Sequence, residues 1–249
     1  VRFCERLGVK LPLSTRHKHV GSNVSITWID KLMNSELTNT ENQQDLTDKE
    51  IFMKIWTSPR KVFKFINDNH YDKYVNGLLF FAGISRAFDR ASLKNMGDNM
   101  SLIAILGLCI IVGGLIGWIS YYIYAALLNW TGKWINGQGD TKSILRIISY
   151  AMTPAIIALI FLIPQIGIYG NEMFKSDGDI ISAGIIANVF VYGSMILEFI
   201  LGIWTIVFCV VGVSEVQKLS IGKSILNLLL PLLVFAIPII IIVLIIKVL

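Results

Sequence analysis

The chain has 249 residues, 54% of them hydrophobic and 16% charged, with a formal net charge of +5. Soluble globular domains carry about 25% charged residues, so this composition excludes an ordinary water-soluble fold with polar surface all round. The charge is also uneven. Residues 1–73 hold 12 of the 22 Lys and Arg, a basic flank that points to membrane topology and anionic lipid rather than nucleic acid.

Residues 1–50 read as a polar, flexible segment ending in the run SELTNTENQQDLTD, which is too poor in apolar residues to build a core. The first 20 residues lack the apolar centre of a secretory signal. The first residue is Val1, consistent with a truncated chain or an alternative start codon. Cys4, Cys109 and Cys209 form no disulfide framework and no CxxC pair, and the last two read as small apolar residues within spans. The string CERLGVKL resembles one knuckle of a zinc ribbon with Leu7 at the second cysteine position. A zinc site needs four ligands, and Cys4, His17 and His19 are too few, so no metal and no other cofactor is expected.

Residues 51–73 read as amphipathic helices. Asp48 is the expected N-cap of KEIFMKIW, and Ser58 followed by Pro59 opens the next helix, RKVFKFI. Val62, Phe63 and Ile66 there sit among Arg60, Lys61 and Lys64. This pattern predicts a helix lying in the interface against anionic lipid, with a soluble cap packed on the bundle as the alternative.

Residues 74–249 read as a bundle of about five transmembrane helices, an all-α polytopic fold. A helix crosses about 30 Å of hydrocarbon with roughly 20 apolar residues, and in lipid it must bond its own backbone. Spans at about 102–128, 147–170, 185–213 and 224–246 meet this standard, with Glu198 the one charge inside them. Tyr121, Tyr122, Tyr124, Trp130 and Trp134 gather at one end of the first of these, as rings at headgroup level do. Gly113 and Gly117 form a GxxxG on the same helix, a pattern that permits close packing. A fifth span, about 74–90, is weaker because only the 12 residues between Lys73 and Arg86 are uncharged. It spans if Arg86 snorkels to a headgroup, and otherwise is re-entrant or interfacial. With a cytoplasmic N-terminus, 17 Lys and Arg fall inside and 5 outside whether four or five spans are counted.

Three stretches carry a resemblance: IWTSPRKVFKFI at 55–66, NWTGKWINGQGDTKSILRIISYAMTPAII at 129–157 and IWTIVFCVVGVSEVQKLSIGKSILNLLLPLLV at 203–234. In order and spacing they resemble the Yip1-domain family, specifically its bacterial branch, over about residues 52–249. The matching positions include Gly137, Gly139, Arg146, Tyr150 and Pro154. The resemblance implies five spans, a cytoplasmic N-terminus and a multi-pass place in a bacterial cytoplasmic membrane. The family's eukaryotic branch is linked to vesicle trafficking and small GTPases, but its Asp-Leu-Tyr-Gly-Pro type motif is absent, so that role does not carry over.

Two patterns suggest chemistry. Gly137-Gln138-Gly139-Asp140 and Tyr71-Asp72 match the GxGD and YD strings of intramembrane aspartyl proteases, which need two facing carboxylates sharing a proton. Asp140 lies in a polar loop, so a Gly-rich turn is the better reading. Glu198 is costly inside a span and is a functional candidate for that reason, with Asn188 or Asn227 as possible partners; the plainer alternative is a protonated or hydrogen-bonded contact between helices. Gln165 beside Pro164, and Pro154, Pro231 and Pro238, would kink or locally open helices. No HExxH, GxSxG, Walker A or dinucleotide-binding string occurs in context. The expected function is therefore non-enzymatic: organising or shaping membrane, or partnering other membrane proteins or itself. The alternative is a small-solute or ion transporter that uses Glu198.

Overall fold

The computed structural model describes residues 46–179 and 184–248. Cys4, His17, His19 and the polar segment preceding residue 46 lie outside the described residues. The rest is helical: α1 (Asp48–Thr57), α2 (Pro59–Asp68), α3 (Val75–Leu93), α4 (Leu102–Leu108), a π turn (Cys109–Gly113), α5 (Gly114–Lys133), α6 (Thr141–Ala151), α7 (Thr153–Tyr169), α8 (Ile185–Gln217) and α9 (Ile221–Val248). Three continuous runs, Leu102–Lys133, Thr141–Phe174 and Ile185–Gln217, are long and apolar enough to cross a membrane, and Ile221–Val234 is a shorter apolar stretch.

Local chemistry sets the helix ends. Thr47, not Asp48, caps α1: its hydroxyl accepts from the Glu50 N–H while the Glu50 carboxylate accepts from the Thr47 N–H. The sequence there is T-D-K-E, which satisfies two free donors reciprocally, and Asp48 is released for other bonds. Pro59 opens α2 as expected, but Ser58 makes no side-chain capping bond. Pro154 separates α6 from α7. It has no N–H for the Tyr150 carbonyl, and the Thr153 hydroxyl donates to that carbonyl instead, at 2.6 Å.

The weaker fifth candidate forms the helix α3, which is not among the runs long and apolar enough to cross a membrane. Its 19 residues give about 28 Å of helix, laid antiparallel along the helix that begins at Leu102. Phe80 meets Gly114, Gly83 meets Gly113 and Gly117, and Ala87 meets Gly113. Farther along, Ile84, Phe88 and Ala91 pack with Ile105, Cys109 and Phe174. The GxxxG therefore serves a contact inside the bundle. A Cβ on Gly83 would sit 2.3 Å from the Gly113 carbonyl oxygen, and one on Gly117 would sit 2.5 Å from the Gly83 Cα. Arg86 lies over the Tyr121 ring, 5.8 Å from its centre, a cation–π contact that lowers the cost of a charge in this helix.

The helix pair α1–α2 packs across α6 and α8. Ile51, Ile55, Val62, Phe63 and Ile66 are fully buried, while Arg60, Lys61 and Lys64 remain exposed. Phe208 of α8 takes the rings of both Trp56 and Phe63 edge-on, and Gly212 leaves room for Phe63 and Ile147.

The glycine contact is testable. Gly83→Val or Gly117→Val is expected to destabilise the detergent-solubilised protein by about 1–3 kcal/mol or more through overpacking. Gly77→Ala, with open space around it, is expected to leave the thermal midpoint unchanged or slightly higher.

Candidate functional site

Polar side chains gather at two places. The first is the end of the bundle that carries α1 and α2. Arg146 on α6 is 2% exposed and grips Asp72 in the α2–α3 loop, with Nε–Oδ1 at 2.5 Å and Nη2–Oδ2 at 3.4 Å. Lys142, one turn earlier, stands 3.6 Å from the same carboxylate. The Arg146 guanidinium holds the Asp72 carboxyl below its ordinary value. Beside it, the Asp48 carboxylate accepts from Lys73 and from the hydroxyls of Tyr71 and Tyr74, which also depress it; Lys73 rises in turn to about 12. Tyr150, fully buried, lies against Phe52 and Tyr71. These contacts tie α1, the α2–α3 loop and α6 together.

The Gly-rich loop belongs to this end and is structural. The Gly139 N–H donates to the Gln217 side-chain oxygen at 3.1 Å, the Gln138 N–H donates to the Gln217 backbone carbonyl, and the Gln217 amide donates to the Leu128 carbonyl. A Cβ on Gly137 would meet that side chain at 2.4 Å. Asp140 caps α6 by accepting from the Lys142 and Ser143 N–H groups, and the Ser143 bonds lower its pKa. Asp72 is committed to Arg146 and Asp140 to a helix end, so the pair does not form a proton-sharing dyad. Pro154, likewise, is buried at the α6–α7 break.

The second place is within the bundle. Glu198 on α8 meets Gln165 on α7: the Gln165 amide donates to Glu198 Oε1 and to Ser194 Oγ, each at 2.7 Å. Asn188 and Asn227, the partners expected from the sequence, bond elsewhere: the Tyr169 hydroxyl donates to Asn188 Oδ1 at 3.0 Å, and the Thr131 hydroxyl donates to Asn227 Oδ1 at 3.1 Å. Gln165 is 2% exposed and stands directly after Pro164. Its position next to a span proline was the available signal, but which face of α7 meets α8 is a matter of helix rotation that the sequence does not state. Asp89 on α3 lines the same cleft as Gln165 and Glu198, and nothing in the sequence singled it out. Among the described residues, no three His, Cys, Asp or Glu side chains converge on a metal position.

The Asp72–Arg146 pair has a pH sign. Its contribution is present above the ordinary carboxyl value of 3.8 and fades as pH falls through the depressed folded value. Asp72→Asn leaves Arg146 buried with no counter-charge. The expected loss is about 1–3 kcal/mol, less than for a fully buried pair because Asp72 is half-exposed. Faster hydrogen exchange across residues 48–68 in Asp72→Asn, with α8 unchanged near Glu198, would show that the pair holds the cap.

No match was found among curated proteins or among solved structures. The Yip1-domain family model matches residues 53–243. It runs from α1 through α9 and takes in the cap, the Gly-rich loop and the cleft, without distinguishing one branch of the family from another. This multi-pass helical membrane protein belongs to the Yip1-domain family.

Proposed function

We propose that the protein works without catalysing a reaction, by organising or shaping the membrane in which it sits and by partnering other membrane proteins or copies of itself. What carries this reading is the docked α1–α2 pair. Most of its apolar face is spent on α6 and α8, and the exposed face left for a partner is mainly basic, with Lys49, Arg60, Lys61 and Lys64 beside Met53 and Asp68. Lys133, Lys142, Lys218 and Lys223 lie at the same end of the bundle, at the termini of α5, α6, α8 and α9. A basic rim at the ends of spans attracts anionic headgroups by about 1 kcal/mol per residue and is the pattern of a cytoplasmic face, which would put the N-terminus inside. Reconstitution into vesicles with and without anionic lipid tests the reading. Added anionic lipid is expected to slow hydrogen exchange over residues 59–68 and to change vesicle curvature in electron micrographs, and Lys61→Glu with Lys64→Glu is expected to remove both effects. Equal protection and equal shape in neutral and anionic vesicles would overturn it.

A second reading, passage of a small solute or ion, is favoured by one observation: Glu198 is held by Gln165 beside a cleft within the bundle. Flux through proteoliposomes that disappears in Glu198→Gln is the expected result under this reading. Absence of flux with the native chain rejects it.

A further inference from the structure

A cleft of about 560 Å³ lies between α3, α7 and α8. Sites for small molecules run from roughly 300 to 1,000 Å³, are largely apolar and carry a few convergent polar groups. Here the apolar lining includes Phe88, Leu159, Leu162, Met173 and Met195, and the charged groups are Asp89 and Glu198. Their chemistry is one-sided. Gln165 spends both amide hydrogens, one on Ser194 and one on Glu198 Oε1. Among the described residues this leaves the second Glu198 oxygen, the Gln165 carbonyl and the Asp89 carboxylate without a hydrogen-bond donor. Arg86, one turn before Asp89, is held over the Tyr121 ring, and neither it nor Arg90 lines the cleft.

Acceptors without donors, set in an apolar wall, complement a cation that brings its own hydrocarbon. A bare metal ion is a poor fit because, among the described residues, no three His, Cys, Asp or Glu side chains converge. We propose that the cleft binds an amphiphile carrying an ammonium group, its cation between Glu198 and Asp89 and its chain along Leu159, Leu162 and Met195. An aminophospholipid headgroup and a soluble alkylamine share this chemistry. The inference deepens the second functional reading by naming a ligand class, but it needs no flux: binding without transport removes that reading and leaves the site.

The test is equilibrium binding to the full chain in nanodiscs, read by native mass spectrometry and by thermal shift. The probes are dodecylammonium, whose N–H groups can donate to the open acceptors, and phosphatidylethanolamine, with methylammonium, phosphatidylglycerol and dodecyl sulfate as comparisons. The ammonium amphiphiles are expected to bind and raise the midpoint, and the anionic amphiphiles and the chainless cation to do neither. Removing one charged partner should weaken binding about tenfold or more, both in Glu198→Gln, which retains an acceptor for the Gln165 amide, and in Asp89→Asn. Ala158→Trp, which fills the cleft from α7, should abolish binding while the unliganded protein keeps its helical signal. Saturation by phosphatidylethanolamine alone identifies a lipid ligand, and saturation by dodecylammonium alone identifies a soluble amine. Equal binding of anionic and cationic amphiphiles, or affinity unchanged in both Asp89→Asn and Ala158→Trp, overturns the proposal.

Discussion

The arrangement depends on how closely α3 approaches α5. Three glycines, Gly83, Gly113 and Gly117, bring backbone against backbone, and no side chain fits between them. That contact turns a helix with only a short uncharged stretch into an integral wall of the bundle. The rest follows from its position. Ser85, Phe88 and Asp89 on α3 form one side of the cleft, and the loop leading into α3 carries Asp72 to Arg146. Without water in the hydrocarbon, association of helices cannot draw on the hydrophobic effect, so close packing of this kind has to supply what burial supplies in a soluble core.

The second source of specificity is polar. The Tyr121 hydroxyl donates to the Ala82 carbonyl, Ser85 to the Ala155 carbonyl and Tyr124 to the Leu228 carbonyl. Thr131 reaches Asn227, Gln165 reaches Ser194 and Glu198, and Tyr169 reaches Asn188. Such bonds are worth about 0.6–2 kcal/mol each in membrane proteins, too little to drive assembly singly. Each links two helices at one register, however, so together they discriminate against sliding and rotation. The same logic governs the cap. Hydrophobic transfer favours burying Ile51, Ile55, Val62, Phe63 and Ile66 in lipid about as much as on protein. The directional contacts, Asp72 to Arg146 and Arg60 to Glu215 at 3.9 Å, together with the ring packing on Phe208, favour the protein.

Uncharged length made three long apolar helices and a shorter apolar stretch legible in the sequence, because that property needs no knowledge of neighbours. The two glycines of the GxxxG were legible as a packing surface but not as the seat of α3, whose matching pair, Gly83 and Ala87, sits in a segment interrupted by Arg86. The capping box at Thr47 was present as T-D-K-E, and reading Asp48 as the cap missed it because both residue types suit that position. Glu198 stood out as a charge in hydrocarbon. Its true partner Gln165 did not outrank Asn188 and Asn227, since pairing between spans depends on helix rotation. The Asp72–Arg146 pair joins residues 74 positions apart, and neither is unusual in its own neighbourhood.

One element connects the two polar regions. α8 has 33 residues, about 50 Å of helix against roughly 30 Å of hydrocarbon, so part of it must tilt or project beyond the bilayer. Its last turns, from Phe208 to Gln217, hold the cap and the Gly-rich loop. Val191, Met195 and Glu198, nearer its start, line the cleft. Its axial glycines at 193 and 202 face open space and carry no proline, so nothing in its sequence breaks the rod between the two. The cap contacts and Glu198 are therefore carried by one continuous helix. The tie between Asp72 and Arg146 joins α6 to the loop leading into α3, which carries Asp89 on the opposite wall of the cleft.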